Sequence, residues 1–185
     1  PLRPEAASVL HQLHKLGIRN TVMMTGDSYR TAEAIAKQVG VDQFYAEVLP
    51  EDKANFVQKE KAAGHTVVMI GDGINDSPAL SAADIGIAIN SGAAIAREIA
   101  DVTIKADSLE ELVFLKTVAN ALQHRVSANY RFVLSFNSTL ILLGALGILQ
   151  PAASAMLHNL STLGISLKSM TNLVQTPSSV PQIAK

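Results

Sequence analysis

The sequence predicts an α/β fold, a partial parallel sheet with helices on both faces, followed by a transmembrane α-helical hairpin. Three observations predict it. Short apolar runs rich in β-branched residues alternate with helical patterns of roughly 10–15 residues through the first part of the chain. Two of those runs end in turns rich in glycine and acid, Thr25-Gly26-Asp27 and Gly71-Asp72-Gly73-Ile74-Asn75-Asp76. Between residues 132 and 167 there is no Asp, Glu, Lys or Arg, and His158 is the sole ionisable side chain.

Residues 5–16 place Ala6, Val9, Leu10, Leu13 and Leu16 on one helical face, with Gly17 as the stop. A strand follows over 20–25. Ser28 is positioned to cap a helix that runs to Gln38 and closes at Gly40. Residues 44–48 predict a weak strand, and 51–62 a helix opened by Pro50. The β-branched run over 66–70 reads as a buried strand leading into Gly71. Residues 77–82 predict a short helix, 85–89 a strand, 93–99 a helix and 102–104 the last strand. Ser108 then caps a long helix directed toward the apolar segment.

The charge is unevenly distributed. The net charge of the 185 residues is −1, yet all 16 Asp and Glu lie at or before Glu111, and the charged residues beyond it are Lys116, Arg125, Arg131, Lys168 and Lys185. Neither part holds a block of like charge, which excludes a nucleic-acid-binding arm or an acidic tail. An apolar content of 48% excludes a disordered chain. The absence of Cys excludes a disulfide framework, a thiolate metal site and a Cys nucleophile. The sequence opens on Pro1 with no signal-peptide pattern, as expected of a piece of a longer protein.

The uncharged segment reads as two helices. Residues 132–149 supply about 27 Å of helix at 1.5 Å per residue, close to the hydrocarbon thickness of a bilayer. Gln150-Pro151 interrupts the run, and 152–167 form a shorter return arm with Ser154, His158, Asn159, Ser161 and Thr162. Arg125 and Arg131 before the pair and Lys168 after it place both ends on the cytoplasmic side. A buried hairpin in a water-soluble protein is the competing reading.

The chemistry gathers at the carboxyl ends of strands, where open α/β sheets bind ligands. The backbone amides around Gly26 and the Thr25 hydroxyl can face an anion at a helix N-terminus, though Thr-Gly-Asp is also an ordinary turn. Asp72 and Asp76 can hold a hard divalent cation, with glycines allowing close backbone approach. Lys53 can neutralise a phosphate oxygen, or can simply be a solvated helix residue.

Thr25-Gly26-Asp27, Pro50-Glu51-Asp52-Lys53 and Gly71-Asp72-Gly73-Ile74-Asn75-Asp76-Ser77-Pro78-Ala79-Leu80, in this order, resemble the phosphorylation domain of P-type cation-transporting ATPases. The hairpin resembles the last two membrane helices of the heavy-metal-translocating branch. The resemblance implies a haloacid-dehalogenase-like domain over 1–124, a transmembrane hairpin over 125–174 and a tail over 175–185. It implies ATP as substrate, Mg²⁺ as cofactor, and a phosphoenzyme cycle that drives a heavy-metal cation across a membrane. Thr25, Gly26 and Asp27 then contact the transferred phosphoryl group, Lys53 pairs with its charge, and Asp72 ligates Mg²⁺. Asn75 and Asp76 support the metal and phosphoryl positions. The implied location is the cell membrane, multi-pass, with the catalytic domain cytoplasmic.

The departures from that family pattern are equally specific. There is no Asp-Lys-Thr-Gly-Thr string to supply the phosphorylated aspartate, no nucleotide or actuator domain, no earlier membrane helices and no Cys-Pro metal signature. The chain is therefore expected to work with the remainder of a pump, and not to turn over alone. Two alternatives are a soluble haloacid-dehalogenase-type phosphatase and a non-catalytic membrane regulator. A phosphatase needs a nucleophilic Asp on an N-terminal strand and no apolar hairpin. Within the hairpin, Asn137, Ser138, Thr139, His158, Asn159, Ser161 and Thr162 are polar groups at membrane depth, either lining an ion path or joining helices by hydrogen bonds. His158-Asn159-Leu160-Ser161-Thr162 resembles the last-helix pattern of a subset of heavy-metal pumps. Imidazole and oxygen donors suit zinc, cobalt or manganese better than Cu(I). Lys168 stands where that family often has Asn.

Overall fold

A computed structural model of the chain describes residues 2–72, 75–89, 98–104 and 109–173. It divides into two compact units, 1–116 and 117–185. In chain order the elements are α1 (Ala6–Lys15), β1 (Val22–Met24), α2 (Tyr29–Val39), β2 (Gln43–Tyr45), α3 (Pro50–Ala62), β3 (Val68–Gly71), α4 (Ser77–Ala82), β4 (Ile85–Ile89), β5 (Val102–Ile104), α5 (Glu110–Ala145) and α6 (Pro151–Ser169).

All described strand pairs in the first unit are parallel. β1 pairs with β2, Met23 opposite Phe44, and β3, β4 and β5 form a sheet in that order, with Ile70 opposite Ile87 and Ala88 opposite Thr103. Parallel strands need covering on both faces, and the apolar residues cluster accordingly. Val57 of α3, Met69 of β3 and Ala79 and Leu80 of α4 make one buried cluster, against which Met24 and Ala54 pack. Ile87, Ile104 and Leu112 make a second, on which the first turn of α5 rests. Leu80 and Val57 are almost wholly withdrawn from water, each contributing about 1.5–3 kcal/mol of burial.

Several predicted boundaries move, each for a local reason. The strand over 20–25 shortens to β1 because Thr21 turns its amide and hydroxyl onto Asp42 Oδ2, at 2.7 and 2.8 Å. The strand over 44–48 becomes β2, ended by Glu47 at φ +56° and by the return of the Val48 amide to the Thr25 carbonyl. The strand over 66–70 becomes β3 because the Val67 amide is held by Asp84 Oδ2 at 2.8 Å. Ser28 occupies the N-cap of α2, but its hydroxyl meets Thr31 Oγ1 at 3.1 Å and caps no amide. Most of the helix predicted over 93–99, the Ser108 cap and the tail over 175–185 lie outside the described residues.

Asp84 joins three elements. It accepts the Val67 amide before β3 and pairs at 3.2 Å with Lys61 of α3, whose Nζ also donates to the Ala82 carbonyl at 2.8 Å. Gly86, in β4, is required by packing: a Cβ there would stand 2.8 Å from the Leu80 carbonyl oxygen.

The second unit contains an antiparallel helical hairpin. Near its open end Arg125 donates to the carbonyls of Ser169, Thr171 and Asn172 at 3.3, 2.6 and 3.0 Å, closing the C-terminus of α6. Asn129 Nδ2 adds a bond to Ser169 Oγ at 3.1 Å. The expectation of two membrane-crossing helices is corrected here: among the described residues no helix is long and apolar enough to cross a membrane. The reason lies in where the helices stop and what they carry. α5 ends at Ala145, so its uncharged portion from Phe132 spans only about 21 Å, below the roughly 30 Å of hydrocarbon. It also contains Ser135, Asn137, Ser138 and Thr139, while α6 carries His158, Asn159, Ser161, Thr162, Ser166 and Lys168.

Gly86→Ala is expected to destabilise the first unit by about 1–3 kcal/mol, because the obstructing atom is backbone and cannot rotate away. A lowered urea midpoint at unchanged slope checks this. Acid sensitivity has a definite sign. Hydrogen bonds from the Thr21 amide and hydroxyl hold the Asp42 carboxyl below its ordinary range, and the Val67 amide, aided by Lys61, does the same to Asp84. The folded state thus favours both ionised forms. Their stabilisation is complete above the ordinary carboxylate range and is lost as pH falls through the lowered folded values. The urea-midpoint gap between the wild-type chain and Asp84→Asn should therefore shrink between about pH 6 and about pH 3.

Candidate functional site

One buried cluster carries the parts of the candidate site. Lys53 precedes Ala54 on α3, Thr25 follows Met24 of β1, Asp72 lies three residues beyond Met69 of β3, and Asp76 lies one turn before Ala79 and Leu80. Each polar residue is thus anchored by an apolar neighbour in the same core, which fixes its starting point without using its own side chain.

Lys53 Nζ donates to Asp76 Oδ1 at 2.7 Å, and the two side chains are only 14% and 13% exposed. At that burial the pair is interdependent. Removing one partner strands a charge in poor solvent, at a cost of about 3–5 kcal/mol. Gly71 makes room for it: a Cβ at Gly71 would lie 2.5 Å from Asp76 Oδ2 and 2.7 Å from its Cβ. The sequence pattern assigned the glycines of this loop to ligand approach, and the structure gives Gly71 a second reason, the approach of Asp76. Asp72 and Asn75 are exposed beside the pair, while Gly73 and Ile74 lie outside the described residues.

The Thr25-Gly26-Asp27 turn is tied internally. The Thr25 hydroxyl donates to Asp27 Oδ2 at 2.9 Å and accepts the Asp27 amide at 3.1 Å. The following loop folds onto it, with the Glu47 amide on the Asp27 carbonyl and the Val48 amide on the Thr25 carbonyl, both at 3.0 Å. To donate to an anion, the Thr25 hydroxyl must first release Asp27. A depression of about 210 Å³ beside this loop is lined by Met24, Tyr45, Glu47, Val48, Asp52 and Phe56. Sequence reasoning did not find it, because the contact that builds it, Tyr45 against Phe56 at 5.1 Å, joins residues on separate elements. Its two carboxylates repel phosphate, so it is distinct in chemistry from the Lys53 site.

Among the described residues no three His, Asp or Glu side chains gather into a metal cage. Mg²⁺ does not need one, since it keeps several waters and takes one or two carboxylates together with substrate phosphate. The oxygen donors of Asp72 and Asp76 are of the hard type such an ion requires. Asp76 already shares its charge with Lys53.

In the hairpin, His158 Nδ1 lies 2.9 Å from Asn137 Oδ1, joining α6 to α5. Ser161 Oγ and Thr162 Oγ1 both donate to the His158 carbonyl, at 2.8 and 3.1 Å. Thr139 donates to the Ser135 carbonyl at 2.9 Å, and Ser138 and Asn159 are exposed. Of the seven polar groups singled out in the hairpin, three therefore bond to His158: Asn137 to its ring, and Ser161 and Thr162 to its backbone carbonyl. The Arg125 clasp escaped the sequence reading because its acceptors are backbone carbonyls, which carry no residue signature.

Residues 1–84 match the haloacid dehalogenase-like hydrolase family. A zinc-exporting P-type ATPase of Mycobacterium marinum is 42% identical over 165 residues, 89% of this chain and 22% of that protein. A manganese-exporting P-type ATPase of Mycobacterium tuberculosis is also 42% identical, over 89% of this chain and 23% of its own length. A copper-transporting ATPase of Arabidopsis thaliana, RAN1, is 43% identical over 74% of this chain and 14% of its own. The chain thus spans less than a quarter of the length of these relatives. The crystal structure of a zinc-transporting PIB-type ATPase in its E2.Pi state superposes with a TM-score of 0.80 at 33% identity, covering 91% of this chain and 28% of that one. This chain is homologous to the haloacid-dehalogenase-like part of heavy-metal P-type ATPases and has the α/β fold of that part.

Proposed function

We propose that the chain is part of an ATP-driven heavy-metal cation pump that couples formation and hydrolysis of a phosphoenzyme to ion transport across a membrane. The observation that carries this is the Lys53–Asp76 pair at the end of β3, 2.7 Å long and sunk beside Asp72. A fixed ammonium next to carboxylates is the arrangement that a phosphoryl group and its Mg²⁺ require of a protein. In this reading the Lys53 ammonium meets phosphoryl oxygen, and Thr25, Gly26 and Asp27 close on the same group once the Thr25 hydroxyl leaves Asp27. Asp72 would ligate Mg²⁺, with Asp76 holding the lysine and, together with Asn75, supporting the metal and phosphoryl positions. Bound Mg²⁺ would supply charge neutralisation at the phosphoryl oxygens. The phosphorylated aspartate, the nucleotide domain, the actuator and the earlier membrane segments belong to the rest of the pump.

The hairpin is read as membrane-placed among those other helices, with the catalytic part on the cytoplasmic side of the cell membrane. Supporting this are large apolar side chains turned outward on both helices, Ile141 at 73% exposure and Leu163 at 57% among them. Neither helix inserts by its own apolarity, so the placement depends on neighbours that satisfy its polar groups. The cargo is a divalent cation of zinc or manganese type. His158 with hydroxyl oxygens favours these over Cu(I), which prefers sulfur.

In the complete pump, Asp72→Asn should abolish Mg²⁺-dependent phosphoenzyme formation from labelled ATP while expression stays near normal, because the amide keeps the shape but loses the charge. Near-normal phosphoenzyme at ordinary Mg²⁺ would overturn the metal role. Gly71→Ala should lower the phosphoenzyme level at least tenfold with all ionisable groups intact, because its methyl group displaces the Asp76 carboxylate from Lys53; tenfold corresponds to about 1.4 kcal/mol.

A further inference from the structure

His158 has two ring nitrogens, and the hairpin treats them differently. Nδ1 faces Asn137 Oδ1 at 2.9 Å, and among the described residues that is the ring's one hydrogen bond. A carboxamide oxygen only accepts, so the contact requires the proton on Nδ1 and leaves the lone pair on Nε2. The backbone of the same residue is held as well, since Ser161 Oγ and Thr162 Oγ1 both give their protons to the His158 carbonyl. The two hydroxyl oxygens keep lone pairs but have no proton to spare. The Asn137 contact therefore sets the ring tautomer, the two hydroxyls brace the helix turn that carries the ring, and Nε2 is the ring nitrogen left with a lone pair.

We infer that Asn137 is a positioning residue: it holds His158 as the Nδ1–H tautomer, presenting Nε2 to a borderline divalent cation, and does not ligate the ion itself. This rests on the reading of the hairpin as the cargo-binding part of the pump, and it changes Asn137 from a candidate ligand into the group that orients one. Metal-bound histidines are commonly oriented by an acceptor on the second nitrogen, and loss of that acceptor costs about 10–100-fold in affinity. A neutral carboxamide orients the ring without adding a full negative charge, which suits a site that must also release its ion.

The test uses the full 185-residue chain, ¹⁵N-labelled at histidine, in detergent micelles that cover its outward apolar side chains without requiring insertion in a bilayer, with the His158 signals assigned by their loss in His158→Gln. Without metal, Nδ1 should be protonated and Nε2 bare, and Zn²⁺ alone should shift Nε2. Asn137→Leu should remove the tautomer preference and weaken Zn²⁺ binding about 10–100-fold. Asn137→Asp, which retains an acceptor at the same reach, should preserve both tautomer and binding. In the complete pump, Asn137→Leu should raise the half-saturating Zn²⁺ concentration with little change in the maximal ATPase rate. A predominantly Nε2–H ring, or Zn²⁺ affinity unchanged in a folded Asn137→Leu chain, overturns the inference. If Asn137→Leu fails to fold, the wild-type tautomer and the Asn137→Asp result still decide it. An Nδ1–H ring that Zn²⁺ leaves unmoved instead overturns the cargo-site reading beneath it, so the two failures are told apart.

Discussion

The Asp76 carboxylate sits between the Lys53 ammonium and the bare Cα of Gly71, and the rest of the catalytic face is arranged around that contact. Both charged groups are largely withdrawn from water, so neither tolerates the loss of the other. The glycine is what makes the pair possible, since any side chain there would occupy the place of the carboxylate. The apolar cluster of Val57, Met69, Ala79 and Leu80 then brings α3, β3 and α4 close enough for a lysine and an aspartate 23 residues apart to meet.

The acidic residues of the first unit divide by how they are held. Asp42 and Asp84 accept backbone amides and serve as staples, one closing β1 against the start of β2 and the other linking α3, β3 and β4. Those hydrogen bonds stabilise the ionised carboxyl, which is why both are drawn below the ordinary range. Asp72 has a different setting, exposed just beyond the end of β3.

The hairpin shows the cost of polar groups in an otherwise apolar pair of helices. Asn129, Asn137, His158 and Ser161 make bonds between the helices or within α6, and Arg125 closes one end on three carbonyls. The polar residues that hold the hairpin together also lower its apolarity below what an independent membrane helix needs. Relatives named for zinc, manganese and copper align at nearly equal identity, from 42% to 43%. Overall similarity therefore does not discriminate the ion.

What the sequence by itself determined is the alternation of strands and helices, the parallel α/β class and the acidic loops after β1 and β3. These follow from hydrophobic period and turn chemistry, which act over a few neighbouring residues. Strand ends were less legible, because Thr21, Glu47 and Val67 leave the sheet to satisfy partners distant in sequence. Only the tertiary structure decided that Lys53 belongs to Asp76, that Gly71 is emptied for a carboxylate, and that Asn137 meets His158. The first and last are contacts across more than twenty residues, set by how helices pack together, and no local pattern encodes which of several lysines or asparagines arrives there. Helix length in the hairpin was also left to the structure: the sequence carries the first arm to residue 149 before the break at Gln150-Pro151, but the backbone stops at Ala145 and restarts at Pro151.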